Sequence, residues 1–381
     1  MNSRAFLLLA FGGVAVTRPL GAQGNLSSQG YGFPSGQQST RVRGTGGALG
    51  ELDPASPLNP ASLGSVGRSI IYLQYDPEFR TTNIPGVSTG TTVFRFPLLA
   101  AALSLGPSSR GVLGLSASSF LDRTWAIADS ALQTTGTDTA TYRQVQSSSG
   151  GITDVRVAFG WRFTETFKAG IGVHGYVGGN QLRTTRTFND SANYVPANLA
   201  ANLRYWGKAV SIGVEWEPFS RLAVGASYRL GGDLDVSIAD SSRLKRGRVP
   251  DRFGLSVSGS VAKGTQVSLG ATWNKWTAMA PMLSNPAATQ DAWDLGLGVE
   301  SAGPVAFGLP TVIRGGLASR TLPFGVGSLG VREANAALGF GFLLGGGRSA
   351  LDFTLQRSQR TASGGLSESA WTASFGLIVS P

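Results

Sequence analysis

From about residue 67 onward, apolar residues occupy every second position in one segment after another. In VRVAFGWRF, Val155, Val157, Phe159, Trp161 and Phe163 share one parity, and Arg156, Ala158, Gly160 and Arg162 share the other. The same period of two recurs in Val210, Ile212, Val214 and Trp216, in Val267, Leu269, Ala271 and Trp273, and in Trp371, Ala373, Phe375, Leu377 and Val379. Successive side chains of a strand point to opposite faces, so each segment reads as a strand with one apolar face and one small or charged face. About fourteen can be placed, near 67–77, 93–105, 111–125, 150–164, 166–187, 198–217, 220–238, 250–262, 264–278, 291–301, 309–321, 332–345, 348–360 and 367–380. An open sheet of that size would leave two unpaired edges, which closure removes. The expected fold class is therefore all-β, a closed antiparallel barrel.

The connections say which face meets water. TETF near Thr164, EPFS near Pro218, AKG at 262–264 and GGGR near Gly346 read as tight turns, whereas 76–92, 125–149, 237–251 and 277–291 read as long polar loops. Short turns at one end and long loops at the other mark a transmembrane barrel, whose apolar face meets lipid and whose polar face lines the lumen. With 41% hydrophobic and 14% charged residues and 54 glycines in 381, the chain is too apolar for disorder and too rich in glycine for a helical protein. Trp161, Trp216, Trp273, Trp293 and Trp371 supply part of an interfacial aromatic girdle. The basic run RLKRGR, Arg243 to Arg248, reads as part of an outer loop, either simply solvated or clamping lipopolysaccharide phosphates. GVGSLG, Gly325 to Gly330, has dinucleotide-fingerprint spacing but no helix after it, and reads as another outer loop.

The N-terminus reads as an export signal. A basic start, the apolar run AFLLLAFGGVAV and a small-residue end place a signal peptide over 1–22, too short to span a bilayer. Residues 23–66 do not alternate and are rich in Gly, Pro and Ala; they precede the barrel of 67–381 as either a tail or a plug. Cysteine is absent and His174 is the single histidine, which removes thiolate chemistry and most metal sites; no metal and no cofactor is expected. The net charge of +10 is scattered singly through apolar segments, unlike the basic patch of a nucleic-acid binder.

Within that N-terminal stretch, RGTGGALGELDPASPLNPASLG resembles the hatch segment of the FadL-like family, outer-membrane transporters of long-chain fatty acids and aromatic hydrocarbons. Gly44, Gly46, Gly47 and Ala48 match its glycine cluster, Asp53 and Ala55 its acidic-small step, and Asn59, Pro60 and Ala61 its Asn-Pro-Ala element. The strand pairs 210–230 and 249–276 are similar to paired strands of the same family. The resemblance implies a monomeric barrel in the outer membrane, a hatch within its lumen, and passive transport of a hydrophobic ligand with lateral release through the wall. It also implies contact with outer-membrane lipid and lipopolysaccharide. An alternative is a barrel of the same architecture serving as scaffold or shuttle for secreted proteins. A lateral opening needs locally weak strand pairing, and Gly114, Ser116, Ser118 and Ser119 on the third strand are the candidates.

Parity places Asp154, Arg156, Arg162, Lys168, His174, Glu215, Arg229, Asp294, Glu300, Arg314, Arg320 and Asp352 in the lumen. Arg156, Arg162, His174, Arg229 and Arg314 are the candidate ligand contacts, because an arginine fork holds a carboxylate head group well. The competing reading is that these charges pair with one another and brace the wall. No catalytic residue is assigned, since no convincing serine partner for His174 is visible in the sequence. A hydroxyl within hydrogen-bond reach of it would point to a hydrolase.

Overall fold

A computed structural model describes residues 26–28, 31–84, 87–106, 110–135, 138–190, 193–238, 243–326, 329–362 and 365–380. The expected leader lies outside the described residues. The strands are β1 (Ile70–Ile84), β2 (Val87–Leu105), β3 (Gly111–Asp122), β4 (Trp125–Thr135), β5 (Asp138–Arg162), β6 (Phe167–Phe188), β7 (Ala197–Phe219) and β8 (Leu222–Ile238). They continue with β9 (Arg243–Arg248), β10 (Arg252–Ala262), β11 (Thr265–Asn274), β12 (Ala292–Ala302), β13 (Thr311–Val326), β14 (Leu329–Leu344), β15 (Ser349–Ala362) and β16 (Leu366–Val379).

Fourteen of these strands form the wall, each antiparallel to its neighbours, and β16 returns to β1 with Tyr72 opposite Ile378, so the sheet closes. The remaining two extend wall strands. β4 continues β3 along β5, with Asp122 opposite Gly151 and Trp125 opposite Ser148. β9 continues β10 along β8, with Arg252 opposite Arg229 and Arg248 opposite Asp233.

Parity assigns the faces as the sequence does. On β7, Val210, Ile212, Val214 and Trp216 are exposed on the outside, while Ser211 and Glu215 are buried inside. Trp161, Trp293 and Trp371 are also exposed outward. No helix among the described residues is long and apolar enough to cross a membrane; the lipid-facing surface is carried by strands. Trp206 and Trp216 lie ten residues apart on the outward face of β7, about 33 Å of strand, or about 25 Å along the membrane normal at a tilt of roughly 40°. That is the height of a barrel's apolar band.

The tight turns all fall at one end, as expected. At the other end two expected loops are strand instead: β1 runs to Ile84, β2 starts at Val87, and most of 125–149 is the β4–β5 hairpin. On β1 the inner face of this extension is polar and buried, with Asp76, Glu78 and Arg80, so no apolar alternation marks it, while Thr, Val and Tyr keep the extended backbone favourable. RLKRGR is likewise strand, not loop. β9 pairs with β8, and Asp235 faces Arg246 in register and bonds both Arg243 and Arg246. The 277–291 segment does leave the wall, as two short 3-10 helices, Trp276–Met282 and Pro286–Ala288.

The described residues from Phe33 to Leu63, ahead of β1, pack against the inward face of the wall. Helix α1 (Thr40–Gly44) is capped by the Ser39 side chain, which accepts from the Val42 amide, and it contacts β13 to β16. A 3-10 helix, Pro60–Ser65, contacts β3 and β5 to β8 on the other side. Asn59 caps this second helix, accepting the Ala61 amide at 2.9 Å, and Pro60 stands at its first position, where no amide is needed.

The wall makes room for this segment with glycine. A Cβ on Gly160 would lie 2.7 Å from the Cβ of Leu63, one on Gly225 2.6 Å from the Glu51 carbonyl oxygen, and one on Gly270 2.9 Å from the Cα of Ala48. Gly170 and Gly213 face Pro60 and Asn59, and Gly296 and Gly316 face Gly46, with still less space. Backbone therefore rests on backbone around most of the lumen. A second apolar cluster, with Phe120, Tyr176, Trp276, Met279 and Phe324 at its centre, fills the lumen on the loop side of the inner segment.

Candidate functional site: a seam in the wall and the segment behind it

The ladder between β2 and β3 is incomplete. It runs from Leu105 opposite Gly111 to Leu98 opposite Ser118 and stops. Beyond that point β1 is the one wall strand that β2 pairs with, and β5 the one wall strand that Ser119 to Asp122 and β4 pair with. Two local features part the strands. Between Gln74 and Asp76 of β1, β2 carries an extra residue at Phe96–Pro97, and Pro97 has no amide to donate. On β3 the register slips between Ser119 and Leu121: Phe120 keeps the inward parity of Ser116 and Ser118, and Leu121 after it is buried as well. Gly150, behind β3 on β5, has φ 129°, a conformation open to glycine alone.

The parted strands leave a cleft of about 1040 Å³. Phe94 and Phe96 form its lipid-side lip and are 64% and 73% exposed, so the gap opens onto the hydrocarbon face. Arg95, Ser118 and Asp122 form its lumen side, and Gly150, Gly151, Gly178 and Gly179 line its loop-side part. Of the four expected opening residues, Ser118 makes the last backbone pair and Ser119 lies just past it. Gly114 and Ser116 belong to the paired part below, where Gly114 backs onto Leu63 of the inner segment.

Side chains span the gap that backbone does not. Arg95 on β2 reaches Asp122 on β3 at 2.6 Å and Glu78 on β1 at 2.5 Å. Arg80 and Arg360 also hold Glu78, and Arg360 continues to Glu333 and Glu368. Phe33 of the inner segment sits under this network. Its amide donates to the Asp122 carbonyl at 2.7 Å and its carbonyl accepts the Asp122 amide at 2.9 Å. The guanidinium carbons of Arg360, Arg80 and Arg95 lie 4.7, 5.0 and 5.6 Å from its ring centre, a cation–π cage. One residue thus joins the inner segment to the rim of the seam.

The inner segment is held by further charges. Arg41 makes a two-pronged contact with Glu300 at 2.7 and 2.8 Å and reaches Asp53 at 3.5 Å. Burial opposes charge on Arg41, but Glu300 and then Asp53 outweigh it and raise its pKa above the ordinary guanidinium value. Asp53 also accepts from Ser39 at 2.7 Å and Ser56 at 3.0 Å. Asn59 donates to the carbonyls of Glu51 and Val214 at 2.8 and 3.1 Å. Gly46 and Gly47 have φ of 63° and 86°, and a Cβ on Gly46 would lie 2.5 Å from the Leu317 carbonyl oxygen. Glu51, which the sequence reading passed over in favour of Asp53, is fully buried and accepts from Arg252 and Ser227, each at 2.5 Å.

Most of the expected lumen charges pair. Arg314 bonds Glu300 and Asp352, each at 2.6 Å. Lys168 bonds Glu215, Glu217 and Ser65. Arg162 donates to the Gly64 carbonyl at 3.2 Å. Arg229 lies over the rings of Phe120 and Tyr176 and bonds Gln37. Arg156 differs: it is 3% exposed, makes no salt bridge among the described residues, and leaves Nε and one terminal nitrogen without a hydrogen-bond partner. The Ser116 hydroxyl, opposite it on β3, is also unpartnered. Both border a small cavity directly below the seam, beside Pro54, Ala55 and Leu63.

His174 does have a serine. Its Nδ1 donates to Asp154 at 2.9 Å, and Ser211 Oγ donates to its Nε2 at 2.9 Å. The polarity is that of a hydrolytic triad, but the space is not. Ser211 is 3% exposed, which leaves its Oγ without open access for a substrate. Asp154 also accepts from Gln37 at 2.8 Å and Tyr176 at 3.0 Å. The chain of bonds ties β5, β6, β7 and the inner segment together.

No family model matches the sequence, and no curated protein does. Solved structures do. A FadL homologue of Pseudomonas aeruginosa is 15% identical with a TM-score of 0.60, over 92% of this chain and 99% of that one. The toluene transporter TbuX of Ralstonia pickettii is 16% identical with a TM-score of 0.60, over 91% and 99%. The toluene transporter TodX of Pseudomonas putida is 13% identical with a TM-score of 0.56, over 92% and 99%. The chain thus has, almost end to end, the fold of the FadL and toluene-transporter barrels.

Proposed function

We propose that the protein is an outer-membrane transporter that moves hydrophobic small molecules passively, with the segment of residues 23–66 as its hatch and the β2–β3 seam as its lateral exit. The observation that carries this reading is the cleft between parted strands, because it joins a lipid-facing lip of Phe94 and Phe96 to lumen-side groups. A hydrophobic solute gains nothing from a wet pore, whereas a route through the wall delivers it into hydrocarbon. The solved structures of the same fold that are described as toluene transporters support the same class of cargo.

Arg156, with Ser116 beside it, is the candidate contact for any polar end of that cargo. A buried guanidinium with two nitrogens unpartnered carries a desolvation cost that a carboxylate would offset. Arg162, Arg229 and Arg314 already have protein partners and serve as braces on this reading. Gly46, Gly47, Asp53, Asn59, Pro60 and Ala61 hold the hatch in place.

The test is uptake of a labelled long-chain fatty acid and of toluene by cells making the protein, beside a sugar-sized polar control. Hydrophobic uptake should exceed that of vector-only cells, and Ala117→Trp, which fills the cleft from β3, should lower it at least about fivefold while the barrel still migrates as folded on unheated gels. Equal uptake by the wild type and the vector control would remove the transport reading. Undiminished uptake by a folded Ala117→Trp variant would move the exit elsewhere.

A further inference from the structure

Four side chains of the apolar cluster in the lumen come from a segment that is not wall. Trp276, Met279, Met282 and Leu283 are buried and belong to the connection between β11 and β12, whose other side, with Thr277, Pro281 and residues 284–287, is exposed. The cluster's Phe120, Tyr176, Tyr205, Leu234 and Phe324 stand on wall strands instead. The connection therefore closes the loop end of the lumen with its apolar side inward, and it is the part of the closure that strand pairing does not fix.

It is lightly held. Neither of its 3-10 helices has a side-chain cap, and Pro281 stands inside the first. Among the described residues, Trp276–Ala288 is hydrogen-bonded to the wall by Lys245 of β9 alone, whose Nζ donates to the Leu283 carbonyl at 3.1 Å and the Met282 carbonyl at 3.5 Å. The ends are pinned: the Lys275 amide donates to the Asp251 carbonyl and the Gln290 amide to the Pro323 carbonyl, each at 2.9 Å. A short 3-10 stretch tied at its ends and by one side chain between them opens at less cost than a paired strand.

What it fills is a slot between rings. The Trp276 indole is stacked on Phe120, with centroids 5.2 Å apart and planes at 16°, and it meets Phe324 edge-on at 5.8 Å. Phe120 in turn meets Tyr176 edge-on at 4.8 Å. Phe120 lies just past the last β2–β3 pair, and Ile152 belongs both to this cluster and to the lining of the cleft. The indole thus stands between the outer mouth and the seam.

We propose that Trp276 occupies the entry site of the cargo. A planar aromatic molecule takes the place of the indole between Phe120 and Phe324, and the 276–288 segment swings outward between Lys275 and Gln290 as it enters. Such a molecule reproduces the stacked and edge-on contacts that the indole makes, which a saturated ring does not. The role of the site rests on the transport reading above, but its occupancy and the movement are read without uptake.

The chain has no cysteine, so a single introduced one reports the movement. M279C, at a fully buried position under the segment, is folded in detergent, with folding read by gel migration, and treated with a water-soluble maleimide. Alkylation should be slow alone and about fivefold faster with toluene, the worth of one ring pair, whereas cyclohexane at the same concentration should leave the rate unchanged. V112C, equally buried behind the inner segment, should stay unreactive throughout. M282C replaces M279C if the latter does not fold. No alkylation of the folded variant with or without toluene would show a fixed cap and overturn the site. An equal effect of toluene and cyclohexane, or equal reactivity of V112C, would overturn it as well. A toluene-dependent rate in a protein without hydrophobic uptake would leave the site standing and remove the transport reading alone.

Discussion

Single residues show how closely a functional motif and a structural brace can resemble each other. Asp154, His174 and Ser211 have the distances of a charge-relay chain, yet Ser211 is buried and closed to an approaching acyl group. A fluorophosphonate probe should therefore leave the folded protein unlabelled, and labelling lost in Ser211→Ala would restore the hydrolase. His174→Ala should instead lower stability by about 2–3 kcal/mol, the cost of leaving buried Asp154 and Ser211 short of a partner, read as a shift of the urea midpoint. Parity alone put His174, Asp154 and Arg156 in the lumen, because a strand with a lipid-facing side has only one other side. The Ser211 contact was not legible, since it joins two strands at a diagonal that period-two reading does not resolve. Glu51 was passed over for a similar reason: outside regular structure, spacing gives no face, so nothing in the sequence separated it from Asp53.

Elements carried the rest of what sequence reading missed. Segment 76–92 reads as loop, and the extra residue at Phe96–Pro97 reverses parity along β2. The network of Glu78, Arg80, Arg95, Asp122 and Arg360 was invisible for that reason. Its place at the seam gives it a distinct role, because Arg95 and Asp122 bridge strands that have no backbone bonds there. Asp122→Asn keeps the backbone bridge to Phe33 but weakens the ion pair, so initial uptake of toluene should rise about two- to fivefold. A fall in uptake by a folded variant would mean that the pair shapes the route rather than closing it. The fourteen wall strands themselves were readable almost one for one. Lipid on one side and lumen on the other impose the alternation over the whole band, and only above it does the signal end.

For the whole molecule, the barrel and its inner segment behave as one packed body. The lumen is occupied from Phe33 to Leu63, and planar-bilayer recordings should show conductance well below that of an open porin. Gly46→Ala places a Cβ against the Leu317 backbone in a left-handed conformation, a strain of roughly 1–3 kcal/mol. Asn59→Ala removes the cap and two bonds to carbonyls. Both should raise conductance and leakage of polar antibiotics, and unchanged values in both folded variants would count against a hatch. The richness in glycine, taken from composition as a sign against helices, has its main use here. Its lumen-facing members recur on successive strands wherever the inner backbone passes, a pattern that appears only once the strands are laid side by side.

That glycine-lined fit also bears on how the molecule is made. The inner segment touches wall strands from β3 round to β16, with too little space at many points for even one added carbon, and the barrel closes between the first strand and the last. A finished cylinder offers no clearance for threading forty residues of folded chain past those walls. The segment is emitted before any strand exists, so the simplest order is that the sheet curls around it and the β16–β1 edge zips last. On that view the plug is less a stopper fitted to a tube than the mandrel on which the tube is wound.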